Sequence, residues 1–146
     1  MAETYFYATG NIVSHTPKLE IVFDSLIPLP IVTWKRPRVV ARGTMSGIRV
    51  KMINDKKYNA MKANLGWEIK ARAPKLRPSE HDRFGFRFVL RLAGPRGGDG
   101  DRYENLVMDA LQGIVWMDDN QVDEGQWLKT YCQAQPGLML TIWKFA

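Results

Sequence analysis

From Arg83 to Leu92, apolar residues fall at every second position: Phe84, Phe86, Phe88, Leu90 and Leu92 stand between Arg83, Gly85, Arg87, Val89 and Arg91. A period of two predicts a β-strand with one face in the core and the other largely basic. A shorter alternation, Leu19, Ile21 and Phe23 against Glu20 and Asp24, predicts a strand that stops at Pro28. Between Asn54 and Arg72 the spacing changes to steps of three and four through Tyr58, Met61, Leu65 and Ile69, with Asn54 or Asp55 placed to cap a helix. A second helix is predicted from Asp101 to about Gly113, and two further strands near 126–133 and 138–144. The order βαβαββ predicts an α+β fold, a small mixed β-sheet with two helices packed on one face. Pro28 to Gly47, rich in proline, glycine and basic residues, reads as an irregular loop or hairpin. No internal repeat is present, so the organisation expected is an N-terminal extension over residues 1–18 and one domain over 19–146.

Charge changes this picture from a fold to a surface. The 146-residue chain carries a net charge of +6, which favours a polyanionic partner because each cation that meets a phosphate releases a counterion. The cations are segregated: residues 35–77 hold thirteen Lys and Arg against Asp55 and Glu68, whereas residues 98–124 hold eight acids against Arg102. A nuclease needs such a division, one surface for phosphates and a separate acidic cluster for cations. The single cysteine, Cys132, excludes an internal disulfide, and His15 and His81 are too far apart for a zinc motif, so a reducing cytosol is expected. The apolar stretch Leu26 to Val32 is broken by Pro28 and Pro30 and falls short of the ~20 residues of a membrane span, and the start lacks a basic leader, so no membrane partner is expected.

At 100° per residue, Asp101, Asn105, Met108, Asp109 and Gln112 lie on the side of the second helix opposite Tyr103, Ala110 and Ile114. Asp101 therefore faces away from the core, with Asp99 two residues earlier. Asp118 and Asp119 follow the return segment Gly113 to Met117, whose apolar residues suggest that the second acidic pair comes back beside the first. Aspartates without histidine suit a hard divalent ion such as magnesium, which takes oxygen ligands from one or two carboxylates, water and phosphate. By spacing alone the same residues also fit a helix cap and a solvated Asp-Asp turn.

A resemblance separates these readings. Asp99-Gly100-Asp101, then Asp109-Ala110-Leu111, Gly113, Trp116, Asp118-Asp119 and Gln121-Val122 resemble the RusA family of Holliday junction resolvases. That family's pattern is Asp-x-Asp-Asn-Leu-x-Lys, Asp-Ala-Leu and Asp-Asp-x-Gln. Pro28-Leu29-Pro30 and Lys35-Arg36-Pro37-Arg38 are similar to its entry segment, and the resemblance extends from about Leu19 to Lys144. It implies a small α+β homodimer of the bacterial cytoplasm, of a kind common in phage and prophage, that cuts four-way DNA junctions by paired symmetric nicks in recombination and repair. Magnesium, with manganese as substitute, would be held by Asp99, Asp101 and Asp119, with Asp118 as neighbour. Arg102 stands where the family has asparagine, and Asn105 where it has a catalytic lysine. Arg102, Lys51, Lys35 or Arg38 are the candidates to replace that charge; without a replacement the chain would bind junction or duplex DNA and cut it poorly.

The expected DNA-binding residues are Lys35, Arg36, Arg38, Arg42, Arg49 and Lys51 in the basic loop, followed by Lys56 and Lys57 on the first helix. Trp34 could stack on an exposed base; Trp67, Trp116, Trp127 and Trp143 are assigned to packing. Gly94 to Gly100 lacks the Lys-Ser/Thr of a phosphate loop, so no nucleotide cofactor is expected.

Overall fold

The computed structural model describes residues 18–28, 38–53, 55–94 and 100–146, with the side chains of Thr44, Lys51 and Met52 outside that description. Its elements run β1 (Leu19–Ile27), β2 (Arg38–Thr44), β3 (Gly47–Ile53), α1 (Lys56–Arg72), β4 (Arg83–Leu92), α2 (Gly100–Leu111), a 3-10 turn (Asp119–Gln121), β5 (Val122–Tyr131) and β6 (Gly137–Phe145). The expected α+β order is present, with one addition. Residues expected to form a loop or hairpin form, from Arg38 onward, a regular two-stranded ribbon. The proposed extension falls almost wholly on residues 1–17, outside those described.

Four strands form the main sheet in the order β1-β6-β4-β5. β6 is antiparallel to both β1 and β4, and β5 is parallel to β4. A parallel neighbour needs a crossover, and α2 supplies it. The alternation along β4 holds throughout: Phe84, Phe86, Phe88, Leu90 and Leu92 are buried under the helices, together with Leu138, Leu140 and Ile142 of β6. Each fully buried side chain of this kind contributes about 1.5–3 kcal/mol. On the other face the Trp143 indole lies over Gly85, where a Cβ would come within 2.4 Å of the ring.

α1 opens at Asp55, whose carboxylate accepts from the Lys57 amide at 2.9 Å, and Pro74 follows its end at Ala73. Tyr58, Met61, Leu65 and Ile69 are all buried, as their spacing requires. Trp67 is a correction: it is 73% exposed, not packed. It sits nine residues after Tyr58, about 180° round the helix from the buried stripe. The Tyr58 hydroxyl donates to the Asp109 carboxylate of α2, clipping the two helices together. Burial, reinforced by that hydrogen bond, raises the Tyr58 phenol well above its ordinary value.

Candidate active site and nucleic-acid interface

Asp101 lies in the first turn of α2, exposed to solvent as helical geometry requires. Asp99 lies outside the described residues. Asn105, one turn further, is also exposed, and Arg102 is half-buried. α2 starts against the middle of β5: a Cβ on Gly100 would come within 2.2 Å of the Trp127 ring. This contact explains the glycine between the two aspartates of the motif. Trp127, assigned to packing, lies against Gly100 and is still 40% exposed.

Asp118 and Asp119 arrive by a tight return at the other end of α2. The Val115 amide donates to Leu111 O at 2.9 Å and the Gly113 amide to Trp116 O at 2.7 Å. The turn is then secured by Gln121, whose side chain is 5% exposed and forms four hydrogen bonds. Its Oε1 accepts from the amides of Met117 at 2.9 Å and Asp118 at 3.0 Å. Its Nε2 donates to Ser79 O at 2.8 Å and Asp82 O at 3.0 Å, at the entry to β4. Asp118 Oδ1 accepts from the Asn120 amide at 3.0 Å, completing a capping box with Gln121. Asp118 therefore has a structural task, and Asp119 is the neighbour whose carboxylate is displayed. The capping-box spacing Asp118-x-x-Gln121 is readable in the sequence, whereas the bonds from Gln121 to Ser79 and Asp82 are not.

Asp101 lies in the first turn of α2, and Asp119 follows the turn beyond the last residue of that helix, so α2 stands between them along the chain. α2 runs back along β5, with Gly100 against Trp127 and Glu104 reaching Gly125. Its far end leads into the turn beside the start of β4. Twelve residues of helix span ~18 Å, whereas two oxygens on one magnesium, each ~2.1 Å from the ion, lie within ~4 Å of each other. Among the described residues no three acidic, histidine or cysteine side chains converge on a single cation position.

Lys35 and Arg36, like Trp34, lie outside the described residues. Arg42 and Arg49 are cross-strand partners in the ribbon, and Arg38 lies on the same face because it is four residues from Arg42. Lys51 pairs through its backbone with Val40. Lys56 and Lys57 are exposed at the start of α1, immediately beyond β3. Their charges oppose the helix dipole, and the Asp55 carboxylate at the N-cap offsets them.

Near the far edge, Arg91 Nη2 donates to Cys132 Sγ at 2.9 Å, and this bond lowers the thiol pKa from its ordinary value. Arg83 forms a two-point pair with Asp123 at the start of β5, holding that carboxyl below its usual range. No described helix is long and apolar enough to cross a membrane. Comparison with curated proteins finds no match. The family model for endodeoxyribonuclease RusA matches residues 28–143, which include the ribbon, both helices and the Asp118–Gln121 turn. The chain belongs to the RusA endodeoxyribonuclease family.

Proposed function

We propose that the chain is a divalent-metal-dependent endonuclease that resolves four-way DNA junctions as a homodimer by paired symmetric nicks. The observation that carries this reading is the display of Asp101 and Asp119 on rigid supports within a RusA-family chain. One is in the first turn of a helix, the other on a turn held by four hydrogen bonds. The donor set fits the ion: exposed carboxylate oxygens without histidine or thiolate suit magnesium, with manganese as a substitute.

The length of α2 supports a division of labour between two chains. Asp101, with Asp99 beside it in sequence, belongs to one half of the ligand set, and Asp119 from a second chain supplies the other. A two-fold axis would then create two such sites, as paired nicks in opposed strands require. Magnesium held by these carboxylates would supply a water of lowered pKa and positive charge beside the phosphate. Cleavage adds a water oxygen to phosphorus and breaks one P–O bond to a sugar, leaving a phosphate on one end and a hydroxyl on the other. The protein's share is to orient that phosphate: Arg38, Arg42 and Arg49 bind the backbone, with Lys56 and Lys57 continuing the track. Arg102, adjoining Asp101, stands in for the lysine replaced by Asn105 and stabilises charge on the phosphoryl oxygens.

The test is incision of a synthetic four-way junction by purified protein with magnesium. Parent protein is expected to nick opposed strands, and Asp101→Asn to bind the junction while failing to cut. Binding without incision by the parent across magnesium and manganese would replace this reading with that of a junction-binding protein.

A further inference from the structure

The β2–β3 ribbon is amphipathic in a way that phosphate binding alone does not require. One face carries Arg38, Arg42 and Arg49 together with the half-buried Val40 and Ile53. The other carries Val39, Ala41, Ile48 and Val50, since Ile48 pairs with Gly43 and Val50 with Ala41. Val39, Ile48 and Val50 are 63%, 75% and 67% exposed, and Met45 at the tip is fully exposed. A strand pair with one polar face ordinarily buries the other in the core; among the described residues this ribbon forms a separate two-stranded sheet, and Val39, Ile48 and Val50 on its apolar face are exposed.

Charge and area decide what covers it. Residues 38–53 contain Arg38, Arg42, Arg49 and Lys51 and no acid. Arg42 and Arg49 lie directly opposite each other, a pairing that repels unless an anion lies between or beside them. A second ribbon of the same charge is a poor partner. Its area is also small: seven residues per strand give a face of about 230 Å², against about 800 Å² per partner in a stable protein interface. A polyanion that also offers apolar surface satisfies both faces. Duplex DNA offers phosphates but keeps its base faces stacked, while at a branch point the terminal pair of each arm exposes one face beside backbones that converge.

We propose that the β2–β3 ribbon enters the centre of branched DNA, with Met45 and the Ile48–Val50 face against opened bases and Arg38, Arg42 and Arg49 on the adjoining phosphates. The proposal rests on the junction reading above and gives the source of its selectivity for branched over duplex DNA. Apolar wedges placed against a base step unstack it, as in proteins that kink DNA.

The experiment uses a four-way junction with 2-aminopurine at the branch point and a matched duplex, both bound by full-length protein in EDTA. Parent protein should raise the fluorescence on the junction. Met45→Ser and the double variant Ile48→Ser, Val50→Ser should lose that rise and about tenfold of the preference for junction over duplex. Met45→Leu should keep both, and duplex affinity should stay near the parent's. Arg42→Gln should weaken both DNAs and reduce the salt slope by about one. These positions are exposed, so melting temperatures should match the parent's. An unchanged fluorescence rise in the serine variants overturns the wedge, as does their conversion from dimer to monomer in sedimentation, which would make the face a self-association surface. Nicking by the parent with magnesium is measured alongside: its absence overturns the resolvase reading, whereas its presence with an unchanged fluorescence rise overturns the wedge alone.

Discussion

Gln121→Ala removes four hydrogen bonds from one buried side chain. The amides of Met117 and Asp118 and the carbonyls of Ser79 and Asp82 are left to find water or remain unpaired. An unsatisfied buried group costs about 1–3 kcal/mol, and water reaches part of this exposed turn, so the total is about 3 kcal/mol. At this chain length that corresponds to a fall in Tm of about 10 °C. Gln121→Glu gives the argument a sign. A carboxylate can still accept from Met117 and Asp118 but faces two carbonyl oxygens where the amide donated, which favours its protonated form in the fold. Its folded pKa is therefore raised above the unfolded value of ~4.3. The stabilisation is fully present below that value and is lost as pH rises through the folded pKa. Thermal unfolding of both variants at pH 5 and pH 8, with junction nicking well below Tm, checks the chain of reasoning. Gln121→Ala should lose more cleavage than binding because Asp119 loses its support. A Gln121→Glu Tm equal to the parent's at pH 8 would refute it.

Two further perturbations probe other contacts. Gly100→Ala drives a Cβ into the Trp127 ring, so α2 must shift at the turn that carries Asp101; tryptophan emission should change and cleavage should fall further than Tm. Arg91→Leu removes the donor to Cys132 Sγ, so the pH dependence of iodoacetamide alkylation should move to higher pH. An unmoved profile would mean that Arg91 does not control the thiol.

Local periodicity made much of the fold legible. The five alternating apolar residues of β4 and the Tyr58-Met61-Leu65-Ile69 stripe of α1 are buried as their spacing demands. Trp67 obeys the same rule, since its angle on the helix, nine residues after Tyr58, places it outside the buried stripe. The ribbon was partly hidden because its composition is that of a loop, although Val39 and Ala41 alternate with Arg38 and Arg42. The relation between Asp101 and Asp119 could not be read from spacing at all. It depends on β5 running parallel to β4, which forces α2 to carry the chain from one end of the sheet to the other. Gln121 lay in plain view as a capping-box residue, but its bonds to Ser79 and Asp82 join segments about forty residues apart.

The proposal that each site draws carboxylates from two chains is tested most directly by mixing Asp101→Asn with Asp119→Asn protein and assaying junction nicking with magnesium. Neither variant alone retains an intact site. A mixed dimer with shared sites carries one doubly altered and one intact, so mixing should restore nicking of a single strand. If each site is built within one chain, both sites of the mixed dimer remain damaged, and the absence of restored nicking in dimers shown to have exchanged would contradict the account.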